Sequence, residues 1–135
     1  MPNVFTSQTI LDGPKNTVIL LTGTLDTSNE ARTRKVQVST LSQPVPGRVP
    51  TRVKVLKINH LVSQGLIVTL DWDATTPVRF AALTGFDEVD ACSFGGMTNN
   101  AGVGNTGDIY LTTLGWTTGV LAYNIILELQ KVSFT

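Results

Sequence analysis

The tail of the chain alternates with a period of two, and this alternation constrains the fold more than any other feature. In Leu121–Lys131 one face reads Leu121, Tyr123, Ile125, Leu127 and Leu129, and the other reads Ala122, Asn124, Ile126, Glu128 and Gln130. A period of two marks a strand with one face in a core and the other near water. Just upstream, Ile109, Leu111 and Thr113 alternate with Asp108, Tyr110 and Thr112, and Gly115 to Gly119 supply a turn. Residues 108–132 therefore read as a hairpin whose second strand is long. A chain that ends on its clearest strand is expected to use it as a central strand to which earlier ones pair.

The rest of the chain fits the same β grammar. Val4 to Leu11 alternates weakly and ends at Asp12-Gly13-Pro14, a turn signal, so residues 1–13 are an edge strand or an N-terminal arm. Asn16 to Leu25 is apolar on both faces, with Ile19, Leu21 and Leu25 on one and Val18 and Leu20 on the other. Such a strand is buried on both sides, by the core on one and by a covering loop or another subunit on the other. Lys35 to Leu41 reads as a short strand with Val36 and Val38 facing in. Ser42 to Thr51 holds Pro44, Pro46 and Pro50, which reads as an extended surface loop. In Arg52 to Asn59 the phase slips, since Val53 and Val55 share one face but Leu56 and Ile58 the other; a β-bulge near Val55 accounts for the slip. Leu66 to Asp73, Thr75-Thr76-Pro77 and Val78 to Ala82 make a hairpin. Gly85 to Asn105 has no clear period and reads as a long glycine-rich loop. The sum is about eight strands and no long helix in 135 residues: an all-β, single-domain β-sandwich of jelly-roll type spanning 1–135.

Composition enters where it bears on partners. Charged residues make up 15% of the chain, against about 25% in an average globular protein. Threonine, present twenty times, fills much of the gap and suits pleated, half-exposed surface. A surface this low in charge suits a protein packed against partners; the alternative is a plain Thr-rich β-domain. Net charge is zero, which argues against nucleic-acid binding. Seven of the ten basic residues lie from Arg32 to Lys57 and six of the ten acidic ones from Asp71 to Asp108. If those segments lie on different sides, neighbouring copies could meet with opposite charge; otherwise they are two solvated edges. Cys92 is the single cysteine, so no disulfide framework exists. The start Met1 to Thr6 lacks a basic stretch and apolar run, and no apolar stretch approaches the ~20 residues that span a bilayer. Synthesis and folding in a cytoplasm, with no membrane partner, are the expectation.

No reaction motif emerges. Gly102-Val103-Gly104-Asn105-Thr106-Gly107 matches G-x-G-x-x-G, but it opens a strand, where the phosphate-binding mechanism needs a helix N-terminus, so it reads as a turn. Asp71 and Asp73 share a strand face about 6.5–7 Å apart by strand rise, a spacing that alone does not exclude an inverting glycosidase pair. Such pairs normally come from different strands, however, and no aromatic subsite is near, so the two read as a strand end in solvent. Asp87, Glu88 and Asp90 lack the spacing of a calcium loop. His60, the only histidine, and Cys92 cannot make a zinc site, and no nucleophile elbow surrounds any serine. Trp72 and Tyr123 fall on core faces, which leaves Tyr110 and Trp116 as the aromatics available for a surface, where they could contribute to a sugar-stacking platform. No enzyme activity, cofactor or metal is expected.

The runs Asp71-Trp72-Asp73-Ala74, Phe94-Gly95-Gly96-Met97-Thr98-Asn99, Thr106-Gly107-Asp108-Ile109-Tyr110-Leu111-Thr112-Thr113 and Tyr123-Asn124-Ile125-Ile126-Leu127-Glu128-Leu129 resemble small β-sandwich virion proteins of tailed bacteriophages that decorate or cement the head. The resemblance covers roughly residues 66–132 and carries no catalytic residues. It implies a capsid decoration protein located in the virion. Its partners would be the major capsid protein or other virion proteins, and it would assemble as a homo-oligomer, with a trimer favoured. Expected contacts are Val4 and Phe5 in the N-terminal segment, and Val18 and Leu20 on the doubly apolar strand. Pro44, Pro46, Arg48 and Pro50 in the Pro-rich loop, Met97, Asn99 and Asn100 in the glycine-rich loop, and Trp116 complete the set. A carbohydrate- or ligand-binding jelly roll, possibly of a phage tail, is the alternative.

Overall fold

The computed structural model describes residues 3–43 and 45–134. Nine strands form two antiparallel sheets: β1 (Val4–Asp12), β2 (Asn16–Leu25), β3 (Thr33–Val36), β4 (Pro50–Val62), β5 (Ile67–Trp72), β6 (Val78–Leu83), β7 (Phe86–Asp90), β8 (Ile109–Leu114) and β9 (Leu121–Phe134). One sheet runs β1-β2-β9-β4-β7 and the other β3-β8-β5-β6. Four of the pairings are nested, β5 with β6, β4 with β7, β3 with β8 and β2 with β9. The chain is thus one long antiparallel ribbon that turns at Thr75-Thr76-Pro77 and rolls up. The rolling brings β9 against β4 and β8 against β5, which is the jelly-roll topology. β1 adds a ninth strand at one edge.

The closing strand sits between β2 and β4, at the centre of the five-stranded sheet. Tyr123, Ile125, Leu127 and Leu129 are buried, as their alternation predicts, and Leu121 packs at the rim. They meet Ile19, Leu21 and Leu25 from β2, Val53, Val55 and Ile58 from β4, and Val68, Leu70, Ile109 and Leu111 from the facing sheet. Trp72 is fully buried, and its ring stacks on Phe80 with centroids 4.3 Å apart. The phase slip in β4 is a bulge: register shifts between Val55 and Lys57, and Val55 also bridges to Met97 by backbone hydrogen bonds of 3.0 and 2.7 Å.

Five sequence expectations change. β8 and β9 are not a hairpin, because they lie in opposite sheets. The segment between them crosses the sandwich, with Gly115 and Gly119 at positive φ and Trp116 packed on the core. Val36 and Val38 are both buried, but the strand ends at Val36 and Val38 opens a 3-10 turn over Val38–Thr40. Within the segment read as a glycine-rich loop, Phe86–Asp90 is a strand, all of it exposed; an edge strand that overhangs the core needs no apolar alternation. Pro50 is buried and begins β4, where a proline is tolerated as first residue of a strand. The 1–13 segment is no free arm from Val4 to Asp12, since it pairs with β2 along its length.

Two buried polar clusters tie distant segments together. Glu30 receives the Tyr123 hydroxyl at 2.7 Å and the Lys35 ammonium at 2.6 Å. The Lys35 ammonium also lies 4.8 Å from the Phe5 ring centroid. Burial, and then the Glu30 carboxylate, push the Tyr123 phenol far above its ordinary pKa. Lys131, with no exposed side-chain surface, donates to Asp12 (2.8 Å), Gly13 O (2.7 Å) and Ser42 O (2.6 Å), using all three ammonium protons.

Candidate interaction face

The two sheets present very different outer faces. On the four-stranded sheet the charged side chains pair with one another. Arg32 stacks on Tyr110, 3.9 Å from its centroid, and reaches Asp73 at 2.8 Å and Asp71 at 3.9 Å. Arg79 lies 3.9 Å from Asp71, and Arg34 lies 3.6 Å from Asp108. The basic and acidic segments of the sequence therefore meet within one chain, and much of the charge offered for contacts between copies is spent internally. Asp73 also accepts from Thr106 at 2.7 Å, and the Arg32 bond, ahead of that one, holds its carboxyl below the usual range. Asp71 and Asp73 are thus members of one ion cluster with Arg32 and Arg79.

The outer face of the five-stranded sheet carries a different pattern. Strand register sets its side chains in cross-sheet rows. One row is Leu11, Val18, Glu128, Lys57 and Asp90; the next is Gln8, Leu20, Ile126, Asn59 and Glu88; the third is Thr6, Thr22, Asn124, Leu61 and Phe86. The apolar members fall on a diagonal, from Leu11 and Val18 through Leu20 and Ile126 to Leu61 and Phe86. Diagonal neighbours on a sheet lie within side-chain reach, so these six form one band across all five strands. Val18, Leu20 and Ile126 are half-buried by their neighbours, whereas Leu11 and Leu61 are each 53% exposed and Phe86 is 82% exposed.

At the Phe86 end the band sinks into a hollow of about 510 Å³ between β4, β7 and β9. Its lining joins Leu61, Phe86 and Ile126 to the amides of Asn59 and Asn124 and the carboxylates of Asp87 and Glu88. His60 borders the hollow but is buried, with Nδ1 3.3 Å from Gly85 O. Cys92 contacts a different carbonyl, Leu56 O, at 3.6 Å. The neighbouring Asp90 carboxylate raises its thiol pKa, away from the thiolate a nucleophile needs. Among the described residues no three His, Cys, Asp or Glu side chains are placed to hold a metal, and no helix is long and apolar enough to cross a membrane.

The residues expected from the sequence to make contacts separate into groups. Val18 and Leu20 lie on the band, and Val4 is exposed on the free edge strand β1. Phe5, its neighbour, points the other way and packs on the core. Pro46 and Arg48 are exposed in a turn, Pro50 is buried, and Pro44 lies outside the described residues. In the glycine-rich segment Asn99 is buried and bonds to Asn105 and the Ala101 N–H, Met97 is half-buried, and Asn100 is exposed. That loop is held by its own bonds. Trp116 is half-buried, and its indole N–H donates to Gly119 O at 3.0 Å. Leu61 and Phe86 carry no local signal, because the alternation of the fourth strand fades at Asn59 and β7 has none. Ile126, an apolar residue on the polar face of the closing strand, was the available signal.

The chain matches no protein-family model and no curated protein sequence.

Proposed function

We propose that this protein is a structural assembly module, a virion decoration protein that docks on the assembled shell through the outer face of its five-stranded sheet. The observation that carries the reading is the diagonal apolar band. Six apolar side chains from five strands, left at an open sheet face, are the kind of patch that marks a binding surface. Jelly rolls serve in viral capsids and in lectins alike, so the fold by itself is analogy; the virion assignment rests on the resemblance of residues 66–132. Docking is mechanical: a protein that binds only the assembled shell stabilises that form by mass action. The test is sedimentation of shells with the wild type and with Leu20→Arg, a charge placed mid-band. The wild type should co-sediment and the variant remain in the supernatant at an unchanged melting temperature. Equal binding by both would refute docking through this face.

A sugar-binding reading has one observation in its favour, the Phe86 ring beside the Asn59 and Asn124 amides and two carboxylates. The other aromatics do not join it: Trp72 and Tyr123 are buried, and Arg32 covers Tyr110. A glycan array with wild type and Phe86→Ala tests it, since only a sugar site would give signals lost in the variant.

A further inference from the structure

We propose that the hollow at the Phe86 end of the band receives a turn from a second copy of this chain, the turn Val45–Arg48. This deepens the docking reading by dividing the face: the Leu11–Leu20 end is left for the shell, and the Leu61–Phe86 end joins neighbouring copies.

Charge complementarity identifies the occupant. Six of the ten basic side chains are spent on carboxylates of the same chain. Among the described residues Lys15, Arg48, Arg52 and Lys54 have no carboxylate within ion-pair distance, and the last three fall close together in the chain. They lie on the approach to β4 and at its start. The acidic counterpart is β7, where among the described residues Asp87 has no cation within ion-pair distance and Glu88 has Lys57 at 3.9 Å. Arg48 and Arg52 lie at the opposite end of β4 from the strand's pairing with β7, so a second copy can bring the two sets together where one chain cannot. With a net charge of zero, copies approach without overall repulsion.

Shape and polarity agree. The Val45–Arg48 turn is closed by the Arg48 N–H on Val45 O (2.9 Å) and by the Gly47 N–H on Gln43 Oε1 (2.9 Å), and Gly47 has a φ of 89°. It is pre-organised, which lowers the ordering cost of docking. Its tip presents the exposed apolar Val45 beside Arg48, and the hollow offers apolar Leu61 and Phe86 beside Asp87 and Glu88. Two different patches make a heterologous contact, which closes as a ring or runs on as a filament.

Charge reversal tests the contact without any shell. Sedimentation velocity at tens of micromolar should show wild-type oligomers that weaken as salt rises. Arg48→Glu with Arg52→Glu, and separately Asp87→Lys with Glu88→Lys, should each weaken association at least tenfold while the far-ultraviolet spectrum stays native. An equimolar mixture of the two variants should associate again, because each then meets the charge it lacks. A wild-type monomer would assign the hollow to another occupant and overturn the proposal, as would oligomers that persist in either variant or a mixture that fails to reassociate. Shell docking is read separately by Leu20→Arg, so either reading can fail alone.

Discussion

Tyr123 lies across Gly23, its partner in the β2–β9 register, so that a Cβ at position 23 would clash with the tyrosine ring. The glycine leaves the space the ring needs, and the ring delivers its hydroxyl to Glu30. A doubly apolar strand interrupted by one glycine is thus explained by its neighbour. Gly23→Ala should displace the ring and break the Glu30 bond, costing about 1–3 kcal/mol for the buried polar group left unsatisfied. Tyr123→Phe should cost a similar amount without moving the ring. Urea denaturation of the two variants checks both; a neutral Gly23→Ala would contradict the packing.

The same phenol predicts an alkaline response. Its folded pKa is raised, so its contribution is complete below the ordinary phenol pKa of about 10 and is lost as pH rises from there toward the folded value. Wild-type stability should fall above pH ~10, and Tyr123→Phe should flatten that fall. Equal slopes in both proteins would show that Tyr123 is not the group responsible.

Asp12 predicts the acid side. Partial burial works to raise its pKa, but the Lys131 ammonium and the Ser42 N–H outweigh burial and lower it. Its contribution is therefore complete above the unfolded carboxylate pKa of about 3.9 and is lost as pH falls through the lower folded value. Lys131→Met should cost up to about 3 kcal/mol, the low end for a broken buried pair, because Asp12 keeps some solvent. Melting temperatures from pH 7 to pH 2 should fall less steeply for Asp12→Asn than for wild type; parallel curves would remove Asp12 from the acid response.

On the closing strand, Leu127 is fully buried, and Glu128 lies on the outer face opposite Lys57. Leu127→Ala should cost about 2–5 kcal/mol through lost burial and a residual cavity. Glu128→Ala should stay within the ~0.5 kcal/mol usual for surface changes. A silent Leu127→Ala in thermal melts would contradict the register of β9.

What the sequence made legible follows from how each residue earns its place. Period-two alternation exposes a strand with one buried face, so β9, β5 and the core side of β2 could be read directly, and the slip at Val55–Leu56 announced the bulge. Topology cannot be read the same way: nothing local distinguishes a turn within a sheet from a crossing between sheets, and Gly115–Gly119 has the local character of either. β7 was missed because its five residues are all exposed and carry no alternation. Leu11, Leu20, Ile126, Leu61 and Phe86 are far apart in sequence and become one band only when register sets five strands side by side. Arg32 with Asp71 and Asp73, and Lys131 with Asp12, are likewise contacts between remote segments.

The central claim is that the outer face of the five-stranded sheet is a docking face on an assembled particle. Electron microscopy of particles carrying wild-type protein, the Leu20→Arg variant, or none tests it most directly. Wild-type protein should add surface density seated so that Val18, Leu20 and Ile126 face the shell, and the variant should leave the particles bare. Density seated through the four-stranded sheet, or density unchanged by Leu20→Arg, would contradict it.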